Sequence, residues 1–400
     1  MFVKDQSMRW SSFLIVVLPV LASRAVATKE TIYVRPTTTL NVSNSYAENG
    51  NLTLNKLIAS INSTFLNGTT VTLLAGIHHI NSTKDKVLIE NVQSLVLTGE
   101  HKETIESYVV GFHFNFSASK DVSIFGLAFN SCELVFSRST QFENVTLINS
   151  RLKIYPYKSH PSGAGQGEIR CCGLQERVSI SNSVFQNSVM YVGNDVCFSS
   201  AESCTCFSVQ LSTVLFENVD SRTGDNVLHI HDITEVTLTD VTFNTNVFPL
   251  SNMLFLSEIN EVKFGGYCTF SKNRGYDGVM IINVADVMFS SSSRIELSSN
   301  AVTENLLHFI SDAFNGNSEI AFTNCDIIFE YNTSEEGNIL TVNWPLLTAM
   351  NTHMFFINNT CSTFSPMSSN SISAIMLLTR SKAELFYSHL VFRHNSSPLS

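Results

Sequence analysis

The sequence predicts a single all-β solenoid of stacked coils, and three observations predict it: a repeat, a period-two alternation inside the repeat, and a composition suited to a continuous apolar interior. Over the last 160 residues an apolar residue is followed three positions later by asparagine six times, at Phe243/Asn246, Phe270/Asn273, Leu297/Asn300, Phe329/Asn332, Phe356/Asn359 and Phe392/Asn395. Successive apolar members are 27, 27, 32, 27 and 36 residues apart, and Phe216 and Phe185 extend the series backward at 27 and 31. A period in the twenties belongs to units that each bury an apolar face against the next.

Inside each unit the alternation is that of a strand. Val236-Thr-Leu238-Thr-Asp-Val241-Thr-Phe243 places apolar residues on one side, and the residue types between them favour strands joined by tight turns. A second apolar run opens each unit: Val227-Leu-His-Ile230, Met253-Leu-Phe-Leu256, Val279-Met-Ile-Ile282, Leu306-Leu-His-Phe309, Ile339-Leu-Thr-Val342 and Ile375-Met-Leu-Leu378. Two or three short strands per unit of this length make a coil of a β-helix. Phenylalanine is expected to fill the lumen and stack on its counterpart one coil away. Asparagine is expected to take the left-handed backbone of the turn and to bond the equivalent amide of the next coil. Hydrophobic residues make up 44% of the chain and charged residues 14%, with 29 Phe against two Trp, which suits one elongated domain.

From the amino terminus onward, Lys4 and Arg9 precede the apolar run Phe13 to Ala22, and Ala25-Val-Ala27 supplies a small-x-small site, so residues 1–27 read as a signal peptide. Without Lys4, Arg9, Arg24 and Asp5 the mature chain has 21 basic and 33 acidic residues, a net charge of −12. No later stretch is long and apolar enough for a membrane span, and no basic cluster suits nucleic acid. Residues 28–85 lack a clear coil rhythm and are expected to form a glycosylated cap, with a short amphipathic helix over Leu52–Ile61. Residues 86–400 are expected to form the solenoid, interrupted by an insertion at about 156–206. Phe392-Arg-His-Asn395 stands five residues from the end of the sequence. The strand edge this leaves is expected to be covered by a continuation of a longer protein, or else to pair with another chain.

Ten Asn-x-Ser/Thr sequons are present, at Asn41, Asn51, Asn62, Asn67, Asn81, Asn115, Asn144, Asn332, Asn358 and Asn395. Their density between 41 and 81 agrees with an extracellular, eukaryotic secretory route. In that oxidising setting Cys171, Cys172, Cys197, Cys204 and Cys206 are candidates for disulfides stapling the insertion. Zinc is disfavoured, because Cys204-Thr-Cys206 lacks the usual ligand gap and His160 is the only nearby histidine. Cys132, Cys268 and Cys325 fall in strand-like runs and read as buried thiols.

The most chemistry-like cluster is His229, His231 and Asp232, whose two histidines share one side of a strand. A metal or proton-shuttle role competes there with plain decoration of one rung, and decoration is the stronger reading. Asp225, Asp240, Glu258 and Glu261 are further acidic candidates for one face. No paired Asp-Asp, Gly-His-Gly or Asn-Thr-Asp of a polysaccharide-cleaving site occurs, Asn244-Thr-Asn246 being the nearest. No cofactor or metal site is therefore expected.

These coils resemble the right-handed parallel β-helix of the pectin-lyase-like superfamily, over roughly residues 86 to 398. The recurrent Phe-x-x-Asn resembles the repeat of polymorphic outer-membrane adhesins, whose partner motif Gly-Gly-Ala-Ile is degenerate here as Asn226-Val-Leu, Asn252-Met-Leu, Gly278-Val-Met and Asn305-Leu-Leu. With its leader, sequons and Cys-rich insertion the chain is also similar to secreted β-helix proteins of simple animals. The resemblance implies a right-handed solenoid. For activity it implies little, because this fold carries lyases, hydrolases, epimerases and adhesins alike. The function expected is non-catalytic binding or adhesion to a glycan or extracellular protein, with a carbohydrate-active enzyme as the alternative.

Overall fold

In the computed structural model the described residues are 38–42, 68–79, 86–88, 92, 94–116, 119, 121–155, 176–193, 207–221, 224–276, 278–310, 318–343, 345–362 and 374–397. Among them there is no helix, and so none long and apolar enough to cross a membrane. The chain forms an all-β parallel β-helix: thirty strands join one hydrogen-bonded system and every paired strand runs parallel to its neighbour. The alternation that predicted strands appears as burial alternation that changes phase only at the left-handed corners, for example at Asn182 within Glu176–Gln186 and at Thr213 within Phe207–Glu217.

One turn shows the plan. Leu228–Asn244 lies first on what we term face 3, bends at Asp232 onto face 1, and bends again at Asp240 onto face 2. Thr245 makes the next corner, and Val247–Phe248 forms a short fourth strand before Asn252–Gly265 begins the next turn. Face 1 stacks from Thr38–Val42 to Ala383–Phe386, face 2 from Gly76–His79 to His389–Arg393, and face 3 from Lys86–Leu88 to Met376–Thr379. The stack thus reaches toward the amino terminus past the boundary expected at residue 86. The reason is register: Thr69–Leu73 carries buried Thr69, Val71 and Leu73 that continue the inward row of Leu95 and Leu97. The insertion expected at 156–206 is likewise divided. Glu176–Gln186 and Val189–Val192 within it are ordinary coil strands. The signal peptide, the helix expected at Leu52–Ile61 and all five cysteines from Cys171 to Cys206 lie outside the described residues.

The lumen is a phenylalanine stack. Ring centroids lie 4.6 Å apart for Phe185/Phe216, 4.7 Å for Phe216/Phe243, 5.2 Å for Phe243/Phe270 and 4.7 Å for Phe329/Phe356. Leu297 interrupts the row, opposite Phe270 and Phe329. Each buried ring contributes about 1.5–3 kcal/mol by burial, and each stacked pair about 0.5–1.5 kcal/mol beyond it. Phe392 stacks on Phe356 at 4.8 Å yet is half-exposed, because no described rung covers its other face.

The motif asparagines divide the two tasks expected of them. The left-handed residue of each turn is the one before, namely Thr245, Lys272, Ser299, Tyr331, Asn358 and His394, with φ between 52° and 57°. The motif amide turns inward instead. Asn273 donates from Nδ2 to the Phe243 carbonyl at 3.1 Å and to Asn300 Oδ1 at 3.0 Å, while its own Oδ1 accepts the backbone and side-chain N–H of Asn246. The same bonds repeat through Asn300, Asn332, Asn359 and Asn395. Five of these six amides are buried, so each satisfied donor also removes a desolvation penalty of about 1–3 kcal/mol.

A second amide row at the entrance to face 3 points the other way. There the later residue donates to the earlier, as Asn252 N–H to Asn226 Oδ1 at 2.9 Å and Asn338 Nδ2 to Asn305 Oδ1 at 2.9 Å. Gly278 breaks this row because a Cβ there would meet the Asn305 carbonyl oxygen at 2.4 Å. Cys132, Cys268, Cys325 and Cys361 are buried and free, and burial pushes the thiols of Cys132, Cys268 and Cys361 up to about 11. They do not stack on one another; Cys268 opposes Ile295.

Two outcomes are expected. Phe243→Ala removes the middle of the stack and lowers unfolding free energy by about 3–5 kcal/mol in urea melts, whereas Met288→Ala on exposed face 1 changes it by less than about 0.5 kcal/mol. Glycopeptide mapping of protein from eukaryotic cells finds Asn332 unmodified, since its side-chain nitrogen is buried and bonded to both Leu297 O and Asn359 Oδ1.

Candidate functional site

Face 3 carries the most distinctive solvent side. Register places the third member of each unit-opening apolar run in one column, Lys153, Tyr191, His229, Phe255, Ile281, His308, Thr341 and Leu377, of which Thr341 is buried and bonded to Asn305 Oδ1. From Tyr191 to His308 they are half-buried. Beside them runs a second column, His231, Ser257, Asn283, Ile310 and Asn343, which is mostly small or polar. Ring-bearing residues at full strand spacing therefore form a ledge next to hydroxyl and amide groups. That combination of apolar faces and a few placed polar groups is the make-up of a small-molecule or glycan surface.

The cluster singled out from sequence sits at the head of this ledge. Tyr191 bonds through its hydroxyl to His231 Nε2 at 2.5 Å and lies edge-on to His229, with ring centroids 5.1 Å apart. His229 and His231 are 5.0 Å apart, and His229 meets Phe255 edge-on at 5.0 Å. Gly193 is required beneath them, because a Cβ there would fall 2.2 Å from the His231 ring. Asp232 takes the left-handed corner at φ 53°, leaving face 3 for face 1. Farther along the column burial pushes the His308 imidazole down to about 4, so that ring is neutral at physiological pH.

Above Tyr191 the surface turns ionic. Glu133 accepts from Lys153 at 2.8 Å and faces His113 at 3.1 Å, and Arg151 pairs with Asp225 at 3.2 Å. The Glu133 carboxyl is nonetheless opposed by desolvation; bonding to Lys153 and the nearby cations outweigh it and hold the group below its ordinary range. The Lys153 ammonium is held up in turn by its bond to Glu133.

The acidic candidates do not converge. Asp225 is spent on Arg151, Asp240 accepts the Tyr267 N–H at 2.8 Å from a corner, and Glu258 occupies another corner at φ 53°. Only Glu261 joins a row, and it is one that sequence reading missed: Glu235, Glu261, Asp286 and Glu319 pair in register on face 1. Lys263 bridges Glu235 at 2.9 Å and Glu261 at 2.6 Å, and those two bonds raise its pKa. Asp286 accepts the Glu319 N–H, and Glu319 accepts the Thr348 hydroxyl. The row is knit together by its own neighbours. Among the described residues no three His, Cys, Asp or Glu side chains are grouped to hold a metal ion. A cavity inside the lumen, between Met280, Phe289, Phe322 and Met354, is walled by apolar side chains and offers no reactive group.

Tyr191 and Phe255 escaped the sequence reading, although the signal was present. Both occupy the outward position of a coil strand, and only alignment of every unit on the third residue of its opening run reveals the column.

No protein-family model matches the chain, and no curated protein matches it. Solved structures that resemble it include the catalytic unit of a GH87 α-1,3-glucanase from Streptomyces thermodiastaticus, at TM-score 0.31 and 12% identity over 86% of this chain and 65% of that one. A PL6-family polysaccharide lyase from Pseudopedobacter saltans gives 0.32 and 12% over 86% and 92%, and the Streptococcus pneumoniae surface protein and adhesin PfbA gives 0.26 and 8% over 89% and 100%. The chain spans 65% of the glucanase unit's length. Likenesses this remote say nothing of activity, and the function is argued from face 3 itself.

Proposed function

We propose that this is a secreted or cell-surface protein that binds carbohydrate on face 3 without transforming it. The observation that carries the reading is the column Tyr191, His229, Phe255 and Ile281, half-buried on a rigid sheet and flanked by Asn283. Aromatic and aliphatic side chains accept the C–H faces of sugar rings, and neighbouring hydroxyl and amide groups accept or donate to their edges. A sheet held by register on both sides needs no reorganisation to bind, which lowers the entropic cost of association. The expected leader and the sequons support this reading, because an exported protein meets extracellular glycans.

An enzymatic reading rests on face 1, where Glu235 and Glu261 stand on adjacent strands. Hydrolysis with two carboxylates needs the pair to differ, one donating a proton while the other acts as base or nucleophile. A single ammonium bonded to both treats them alike, so the pair reads as a cross-strand ion bridge.

A glycan and extracellular-protein array run with the full glycosylated protein separates these readings. Binding to glycans is expected, and Phe255→Ala is expected to weaken it about tenfold or more, equivalent to about 1.4 kcal/mol, with an unchanged melting temperature. Release of reducing ends from polyuronate or glucan, abolished by Glu261→Gln, establishes the enzyme instead. Binding to proteins alone sinks the carbohydrate reading.

A further inference from the structure

We infer that the ligand of face 3 is a flat, uncharged, β-linked polysaccharide lying parallel to the solenoid axis, one sugar to a coil. This rests on the carbohydrate-binding reading and adds the ligand's shape, direction and charge.

Periodicity sets the shape and direction. Tyr191, His229, Phe255, Ile281 and His308 are joined partner to partner by the strand register, with no offset along the column. Neighbouring strands stand about 4.8 Å apart, so five such side chains make a straight row about 19 Å long. A β-linked chain drawn out as a ribbon repeats once per sugar at nearly that spacing and stays straight. It can therefore set one ring against each rung in succession. An α-linked chain that coils leaves a straight row after one or two sugars. A glycan lying across the coils would meet one aromatic residue and then the edge of face 3, where Asp232 and Glu258 turn the chain onto face 1.

Charge sets the class. From Tyr191 to Leu377 the column contains no carboxylate, lysine or arginine. The cations nearest its head are already engaged, Lys153 with Glu133 and Arg151 with Asp225, and face 1 next door carries a row of four acidic side chains. A polyanion would bring unpaired charge against that field, whereas a neutral chain brings none. The neighbouring column completes the match. Asn283, half-buried, stands on one side of Ile281, so hydroxyls on the edge of a sugar there meet an amide while ring faces meet apolar side chains.

The test is calorimetric titration of the full glycosylated protein with oligosaccharides of increasing length from cellulose, mannan and chitin, alongside amylose-derived oligosaccharides and oligogalacturonate. Affinity is expected to rise with each sugar, to level off at about five units, the number of rungs in the row, and to stay constant between roughly 0.05 and 0.5 M salt. Ile281→Asp is expected to lower affinity for the preferred series about tenfold or more, while Met288→Ala on face 1 leaves it unchanged; thermal melts confirm that both variants fold. Length-independent binding, equal affinity for the amylose series, or preference for oligogalacturonate overturns this inference and leaves the binding reading standing. Failure of every glycan to bind overturns both.

Discussion

Everything in this molecule depends on one constraint, the residue-to-residue register of parallel strands stacked coil upon coil. Because side chains alternate across a strand, a slip of one position would turn the lumen phenylalanines into water and the outward serines and threonines into the lumen. The register also aligns the corners, so left-handed residues fall beneath left-handed residues and the motif amides reach one another. Burial, stacking and amide bonding are therefore consequences of a single alignment. That is why substitution of Leu297 for phenylalanine in the row is accommodated without disturbing the pairing on either side.

Most of the fold was legible in the sequence, because the features that encode it recur. Phe-x-x-Asn marks a buried ring and a bonded amide at fixed separation, and six copies make the pattern stand out from composition. The left-handed position was misjudged by one residue, since asparagine favours that backbone and yet here serves better as a buried donor and acceptor; Thr245, Lys272 and His394 bear the strain instead. The start of the stack was missed because no Phe-x-x-Asn marks its first strands. Thr38–Val42 and Thr69–Leu73 are adjacent only through pairing.

The column of face 3 was less legible for a related reason. Core positions are constrained by what they touch in every coil, so they repeat in chemistry. Outward positions are free of that constraint, and Tyr191, His229, Phe255, Ile281 and His308 share a location more than a residue type. His229 and His231 drew attention as a chemical motif, while the structure shows His229 to be one member of a longer row. The acidic row of face 1 was hidden in the same way, since Glu235, Glu261, Asp286 and Glu319 are 26, 25 and 33 residues apart and become neighbours only by register.

The two amide rows, running in opposite senses, lie along the same direction as the backbone bonds between coils. All the directional cohesion of the body is thus axial. Tension applied lengthwise loads one interface at a time and peels turns away singly, so the rod yields stepwise under a pull from its end. A load spread sideways over a face is shared by many turns at once. A ligand lying along face 3 would bridge successive turns and act as an external splint, making the occupied body harder to unravel than the empty one.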